Sequence, residues 1–271
     1  MLDSVQQLIA GQLSSWELAA NNYKALSQVK IKAVEVDGHT YKVQFNPARI
    51  ASSAANVDAK SIQERQCFLC AANRPSVQKG IFFNGRYEIL VNPYPIFSRH
   101  LTIPAVEHTP QLIFSRFGDM LDLAQQLNDF TLFYNGPKCG ASAPDHFHFQ
   151  AGNKGFLPIE NDRNLPNVVR IESDNKQEII DRFHQIYNTL ELHPGDAEPM
   201  MNLLTWYESG HWVVCIFPRK KHRPACYFAE GDKNILISPA SVDMGGVFIT
   251  PLEKDFQKIT AGDIASILEE I

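Results

Sequence analysis

Two histidines and a glutamine alternate with phenylalanines in the segment His146-Phe147-His148-Phe149-Gln150. If this segment is extended, the side chains at 146, 148 and 150 point to one face of a strand and the phenylalanines to the other. A neutral imidazole can attack phosphorus and form a phosphoramidate, which a second acceptor later discharges. A glutamine can donate a hydrogen bond to a phosphoryl oxygen but cannot relay a proton to or from water. The pattern therefore predicts a nucleophile, His148, assisted by Gln150, and favours group transfer over hydrolysis.

The loop before this segment is rich in residues that can bind an anion. It starts at Asn135 and contains Gly140 and Ser142. Backbone N–H groups in such a loop, together with the Ser142 hydroxyl, can converge on one point and form an anion-binding nest. We therefore expect the loop to bind a phosphoryl group beside His148. The alternative is that both histidines are half-buried strand residues with purely structural hydrogen bonds.

Cys67 and Cys70 form a second candidate site. Two thiolates at this spacing, completed by two imidazoles from elsewhere in the chain, would make a closed tetrahedral site for structural zinc. Free thiols or redox chemistry are the competing interpretation. It is weaker because a redox Cys-x-x-Cys motif follows a parallel strand, and the preceding Glu64-Arg65-Gln66 does not resemble one.

Positive charge is concentrated in the segment Arg219-Lys220-Lys221-His222-Arg223. Fixed cations can neutralise phosphate oxygens in a transition state. Arg219 and Lys221 are therefore candidates to bind the leaving or accepting phosphate. A run of charges can equally be a solvated loop.

The composition limits the classes of partner. The 271 residues carry 25 Lys and Arg against 30 Asp and Glu, a formal charge of −5, with a pI near 6.0. Polymeric nucleic acid is not an expected partner, because no global positive field would attract its phosphates. The sequence has no apolar run long enough for a bilayer, no cationic start of a signal peptide, and an odd number of cysteines, five. We expect a cytoplasmic protein with free or metal-bound thiols and no membrane partner.

Hydrophobic spacing and turn residues predict the elements of the fold. Predicted helices cover residues 3–26, 111–130, 176–191 and a segment capped by Thr260. Predicted strands cover 30–36, 41–45, 87–91, 101–103, 131–134, 146–150, 202–207, 212–217 and 247–250. This order indicates an α+β fold with a mainly antiparallel sheet. We divide the chain into halves, 1–152 and 153–271, and the second half loosely repeats the element order of the first.

His-Phe-His-Phe-Gln after an Asn-Gly-Pro…Gly-Ala-Ser loop resembles the His-x-His-x-Gln motif of the transferase branch of the histidine-triad superfamily. That branch includes galactose-1-phosphate uridylyltransferases, diadenosine tetraphosphate phosphorylases and GDP-L-galactose phosphorylases. The resemblance covers residues 46–150 and implies a half-barrel sheet with flanking helices, often duplicated within the chain. Asp145 departs from the pattern, because the uridylyltransferases have a proline there, and this leaves the choice of substrate open.

The resemblance also implies roles for individual residues. His148 would carry the nucleotide and Gln150 would contact its phosphoryl group. The implied zinc ligands are Cys67, Cys70, His108 and His146, with His100 as an alternative to His108. The implied contacts to nucleotide or phosphate add Arg49 and Asn92 to the loop residues Asn135, Gly140 and Ser142.

These observations predict a nucleotidyltransferase or phosphorylase. A nucleoside monophosphate would move from a nucleotide sugar or a dinucleoside polyphosphate to His148, and then to phosphate or a sugar phosphate. The alternatives are a hydrolase of the same substrates, a non-catalytic nucleotide-binding module and a zinc-stabilised interaction protein. The oligomeric state, a homodimer included, stays open.

Overall fold

The computed structural model describes residues 1–50 and 58–271; residues 51–57, within the first half, lie outside the described residues. The strands are β1 Lys30–Val36, β2 His39–Phe45, β3 Gly80–Phe83, β4 Tyr87–Val91, β5 His100–Pro104, β6 Phe130–Asn135, β7 His148–Asn153, β8 Val169–Ser173, β9 Met201–Glu208, β10 His211–Pro218 and β11 Val247–Thr250. The helices are α1 Leu2–Ser15, α2 Glu17–Leu26, α3 Ala59–Glu64, α4 Phe117–Gln126, α5 Lys176–Tyr187, α6 Ala225–Phe228, α7 Ser241–Met244, α8 Glu253–Lys258 and α9 Ala261–Glu270.

A large sheet of eight strands, in the order β3-β4-β5-β7-β6-β9-β10-β8, forms the centre of the fold. All of its paired strands run antiparallel, which confirms the predicted α+β class with an antiparallel sheet and flanking helices. β6 and β9 pair directly, with Leu132 opposite Thr205, so strands from both predicted halves belong to one sheet. The suggested duplication of the two halves stays a prediction.

A small sheet of three strands, β1-β2-β11, packs beside the large one. The predicted hairpin of β1 and β2 is confirmed, and Asp37 and Gly38 turn the chain with φ values of 51° and 84°. Adjacent positive φ values of this kind match the right-handed twist of a two-residue hairpin. β11 pairs with β2 in parallel, so a strand near the end of the chain completes a sheet begun near its start.

Hydrophobic clusters cover both faces of the large sheet. One cluster contains Phe147 and Phe149 together with side chains of α1, α4 and α5. The other contains Phe133 and Trp206 together with side chains of the small sheet, α7 and α9. Because neighbouring residues of a strand face opposite sides, burying Phe149 in the first cluster turns His148 and Gln150 toward the second face.

The elements differ from the sequence prediction in several places. The helix predicted over 3–26 is two helices, since Trp16 is extended (φ −115°, ψ 98°) and its side chain is buried. The helix predicted over 111–130 begins only at Phe117. β3 and β8 were not predicted, since each is short, with four and five residues.

The start of β7 is the correction that matters for the site. The strand begins at His148, so the prediction that His146 belongs to it is wrong. A turn precedes the strand, and the N–H of His146 closes it by donating to the carbonyl of Ala143 at 3.1 Å.

No helix among residues 1–50 and 58–271 is long and apolar enough to cross a membrane.

Candidate active site

A cavity of about 510 Å³ opens on the second face of the large sheet, beside the small sheet. It contains most of the residues that the sequence singled out for phosphate chemistry. The predicted residues that line it are Arg49, Asn92, Asn135, Gly140, Ser142, His148 and Gln150.

His148 is held rigidly at the start of β7. Its backbone N–H donates to the Gln111 side-chain oxygen at 2.7 Å, and its carbonyl accepts from the Gln111 amide at 2.8 Å. Its Nδ1 lies 2.9 Å from the carbonyl oxygen of His146, and a carbonyl can only accept, so the ring proton is on Nδ1. Burial lowers the pKa of His148 to about 4, which keeps the imidazole neutral. The lone pair is then on Nε2, the nitrogen that a nucleophilic attack needs.

Two carboxamides of the cavity wall have their oxygens fully used. Gln150 Oε1 accepts from His100 Nε2 at 3.1 Å and from Asn92 Nδ2 at 3.4 Å. Asn135 Oδ1 accepts from Asn202 Nδ2 at 2.9 Å and from the N–H of Ser241 at 2.8 Å. The NH₂ groups of Gln150 and Asn135 have no partner among the described residues. They are therefore available as donors to a ligand in the cavity, as an anionic ligand requires.

The loop between β6 and β7 needs glycine where it approaches the C-terminal part of the chain. Gly140 has a φ of +93°, and a Cβ there would come within 2.6 Å of the Ala240 Cβ. This close approach brings the loop, including Ser142, against the segment that contains α7. The loop and that segment together form one wall of the cavity.

Arg49 and Asp243 add opposite charges to the cavity. The Arg49 guanidinium donates to the carbonyl of Tyr94 at 2.9 Å, and desolvation lowers its pKa to about 10, so it keeps its charge at neutral pH. Asp243, which the sequence analysis missed, is buried and accepts from the N–H groups of Ala240 and Ile249. Burial raises the pKa of Asp243 to about 6.

Much of the remaining cavity lining is apolar. It includes Trp16, Leu18, Phe68, Leu69, Pro75 and Pro93. Arg65 and Arg74 also line the cavity, and their charges are paired with Asp145 and Glu88. None of these residues was predicted to be part of the site, although Phe68 and Leu69 lie between the two cysteines.

The structure does not bring Arg219 and Lys221 to this cavity, contrary to the sequence prediction. Arg219 is 5% exposed and turns inward, where it donates to Asn202 Oδ1 and to the carbonyl of Pro239. Lys221 lies at the surface, and its ammonium pairs with Glu270 at 3.4 Å. Arg219 turns inward because its guanidinium donates hydrogen bonds to these buried oxygens. The run of charges in the sequence does not show the direction of the side chain.

Cys67, Cys70, His108 and His146 come together, with one potential ligand atom from each lying within 4.8 Å of the others. His146 Nδ1 is 3.3 Å from Cys67 Sγ, and His108 Nδ1 is 3.2 Å from Cys70 Sγ. His146 Nε2 donates to the carbonyl of Ala105 at 2.8 Å, which leaves its Nδ1 lone pair facing the thiols. Two sulfur and two nitrogen donors turned inward, with an outer hydrogen bond fixing one ring, fit a tetrahedral metal site.

His100, the alternative third ligand, is not part of this group. It is buried beside the cavity, where its ring contacts Gln150. Asp145 also stands next to the group: it pairs with Arg65 and lies 3.8 Å from His108 Nε2. The residue that departs from the uridylyltransferase pattern thus connects a cavity arginine to a candidate metal ligand.

A family model described as "Domain of unknown function (DUF4922)" matches residues 8–153 of the chain. The chain belongs to the DUF4922 family. No curated protein sequence matches it.

Solved structures resemble the fold of this DUF4922 chain over nearly its whole length. The yeast Ap4A phosphorylase Apa2 in complex with Ap4A is 15% identical, with a TM-score of 0.64, and the match covers 98% of this chain and 95% of that one. The same enzyme in complex with AMP gives 16% identity, a TM-score of 0.62 and the same coverage. At this identity the likeness shows the fold alone, a mixed α+β arrangement with a large antiparallel sheet and flanking helices.

Proposed function

We propose that the protein is a nucleotidyltransferase that works as a phosphorylase or as a transferase to a sugar phosphate. The donor is a nucleotide sugar or a dinucleoside polyphosphate, and His148 carries the nucleoside monophosphate between the two half-reactions. The observation that carries this proposal is the setting of His148: a ring with its proton fixed on Nδ1 in a cavity whose wall presents two amide NH₂ groups.

In the first half-reaction, His148 Nε2 attacks the α-phosphorus of the donor. A P–N bond forms, and the P–O bond to the rest of the donor breaks with its electron pair on the departing phosphate. The imidazole becomes cationic, and its Nδ1–H continues to donate to the His146 carbonyl, which stabilises the developing charge. The amides of Gln150 and Asn135 and the hydroxyl of Ser142 donate to the phosphoryl oxygens.

In the second half-reaction, an oxygen of the acceptor attacks phosphorus, and the P–N bond breaks to return neutral His148. A phosphate oxygen is already anionic at neutral pH, so it attacks without giving up a proton. Water would need a base, which Gln150 cannot supply. This difference supports transfer to phosphate or a sugar phosphate over hydrolysis.

The mixed lining of the cavity suits the two parts of a nucleotide. The donor groups around His148 suit the phosphates, with Arg49 as a further cation of the cavity and Asn92 holding the Gln150 amide. Apolar lining residues such as Trp16 and Leu69 suit the base, since bases stack on flat apolar surfaces. The likeness to a fold used by an enzyme crystallised with Ap4A and with AMP supports this class of ligand.

We further propose that Cys67, Cys70, His108 and His146 hold a structural zinc ion. Bound there, zinc would supply four bonds that join the Cys-x-x-Cys segment to the turn before β7, and no chemistry on the substrate. The four protein ligands fill a tetrahedral shell, so no open position is needed for water. The protein would thus use the metal to fix the position of His148, two residues beyond His146.

The test is intact-mass spectrometry after incubation with a panel of nucleotide sugars and dinucleoside polyphosphates. We expect wild-type protein to gain the mass of one nucleoside monophosphate and His148→Ala to gain none. Addition of phosphate or of a sugar phosphate should discharge the adduct and release a nucleoside diphosphate or a nucleotide sugar. Nucleotide binding without an adduct from any donor would contradict the proposal in favour of a binding module. Discharge in water as fast as with either acceptor would indicate a hydrolase.

A further inference from the structure

His100 is completely buried on β5, and its protonation pattern is determined by its neighbours. The backbone N–H of Ile96 donates to His100 Nδ1 at 3.1 Å. A backbone N–H cannot accept, so Nδ1 carries the lone pair and the ring proton is on Nε2. That Nε2–H points at Gln150 Oε1, 3.1 Å away.

This contact determines which way the Gln150 carboxamide faces. Asn92 is itself fixed, because its Oδ1 accepts from the N–H of Tyr94 and its Nδ2 donates to Thr102 Oγ1, each at 2.9 Å. His100 and Asn92 therefore both present N–H groups to Gln150. In the flipped orientation, the NH₂ of Gln150 would meet these donors and no acceptor, which a buried site penalises. The oxygen is held on the inner side and the NH₂ group faces the cavity.

The surroundings hold the His100 ring in place and keep it neutral. The Tyr23 hydroxyl, from α2, donates to the His100 carbonyl at 2.9 Å and accepts from the His100 N–H at 3.2 Å. The rings of Phe97 and Phe133 pack against the imidazole at centroid distances of 5.3 and 5.8 Å. Burial, reinforced by the nearby Arg49 charge, lowers the pKa of His100 to about 3. The ring is thus a neutral donor at neutral pH.

We propose that His100 is a positioning residue for nucleotidyl transfer, which orients the Gln150 amide so that its N–H donates to the phosphoryl group on His148. This inference rests on the proposed function. It gives His100 a role that is neither metal ligand nor nucleophile. His100 acts only through Gln150 and does not touch the phosphorus.

Two substitutions separate the two hydrogen bonds of the ring. His100→Asn places an oxygen near the Nδ1 position, so it retains the acceptor for Ile96 but removes the donor to Gln150. His100→Gln places an NH₂ group near the Nε2 position, so it retains the donor but removes the acceptor. We expect His100→Asn to slow formation of the His148 adduct by about tenfold or more, and His100→Gln to stay within about threefold of wild type. KM for the donor should change less than kcat in both variants.

A double-mutant cycle distinguishes positioning from a general structural effect. If His100 acts through Gln150, then His100→Asn should have no further effect on the adduct rate in a Gln150→Ala background. Equal damage in the Asn and Gln variants, or a full tenfold loss in the Gln150→Ala background, would overturn the proposal. Metal content and the thermal midpoint serve as controls for folding.

A measurement that needs no turnover keeps this inference separate from the proposed function. NMR of the histidine ring nitrogens should show His100 in the Nε2–H form, unchanged between pH 5 and 8. The side-chain NH₂ signals of Gln150 should shift in His100→Asn and much less in His100→Gln. An Nδ1–H form, or Gln150 signals that ignore both variants, would refute the positioning role even if wild-type protein forms the adduct. Absence of the adduct in wild type would instead refute the proposed function.

Discussion

His146 and His148 are two residues apart and both buried, yet they present opposite ring nitrogens to their surroundings. His146 donates from Nε2 to the carbonyl of Ala105 and turns Nδ1 toward the two cysteines. His148 donates from Nδ1 to the carbonyl of His146 and keeps the lone pair on Nε2. In each case a backbone carbonyl determines which nitrogen is free to bind a metal or attack phosphorus. The same side chain can therefore serve as ligand or nucleophile according to where the backbone places one oxygen.

Loss of the proposed nucleophile, His148, should give the largest effect. We expect His148→Ala to lower the rate of nucleotide transfer by at least roughly 10³-fold, because no neighbouring residue can form the P–N bond. Metal content should stay at the wild-type level, since the ligands are untouched. The measurement pairs steady-state product formation with metal analysis of the same sample. Parallel loss of metal and activity would mean that the two histidines do not have separate roles.

The reciprocal substitution should act on stability first. His146→Ala removes one proposed zinc ligand and leaves two thiolates and one imidazole, so we expect the metal to be lost during dialysis and the thermal midpoint to fall well below that of His148→Ala. Activity should fall as a consequence, because the turn before β7 is no longer tied to the Cys-x-x-Cys segment. A His146→Ala protein with full metal content and wild-type stability would remove His146 from the metal site.

Burial also shifts the pKa of an acid, Glu198, that is connected to His148 through hydrogen bonds. The pH dependence of stability therefore tests the surroundings of His148 separately from those of His146. Glu198 is 4% exposed, it lies next to the Tyr134 hydroxyl, and burial raises its pKa to about 7 from 4.5. The Tyr134 hydroxyl also lies 2.9 Å from the carbonyl of Gln111, and its one proton cannot serve both oxygens. A protonated Glu198 resolves this by donating to Tyr134. Because Gln111 is hydrogen-bonded to the backbone of His148, this network helps to hold the proposed nucleophile.

A raised carboxyl pKa stabilises the fold at low pH and loses that contribution as the pH rises through 7. We expect wild-type protein to lose about 2 kcal/mol more unfolding free energy than Glu198→Gln between pH 5 and pH 8. Denaturant titrations of both proteins at the two pH values measure the difference. Parallel curves for the two proteins would show that Glu198 does not titrate in this range.

The smallest effect is expected at the basic segment. Lys221→Ala should leave the adduct rate within twofold of wild type, because Lys221 is at the surface and its exposed pair with Glu270 contributes little. Kinetics at low and at physiological ionic strength are the measurement. A tenfold loss would contradict this and support the predicted contact of Lys221 with phosphate.

The sequence predictions succeeded where the residues of a site lie close together in the sequence. Cys67 and Cys70 belong to one short motif, and the family resemblance supplied His108 and His146, so the cluster could be named in advance. The cavity residues from Asn135 to Gln150 come from one continuous stretch. Short motifs and the residues next to them in sequence therefore predicted most of the cavity residues around His148.

The remaining features depend on contacts that a single sequence does not encode locally. Arg219 was predicted to bind phosphate because of its charge. Its side chain instead points inward, because it donates hydrogen bonds to Asn202 and to the carbonyl of Pro239. Asp243 and Gln111 escaped notice because an isolated acid or amide has no distinctive spacing. Nothing in the segment around His100 indicates the contact of its ring with Gln150.

The parallel pairing of β2 with β11 has a consequence for biosynthesis. Thr250 donates to the carbonyl of Gln44 across 206 positions of the chain, and the wall formed by Ala240, Val242, Asp243 and Ile249 belongs to the same late segment. A ribosome-bound chain therefore carries the Cys-x-x-Cys motif, His148 and most of the large sheet long before this wall exists. Because contacts so distant in sequence form late and slowly, we expect the nascent protein to pass through a stage in which the large sheet is largely assembled while the cavity beside His148 is still open on one side.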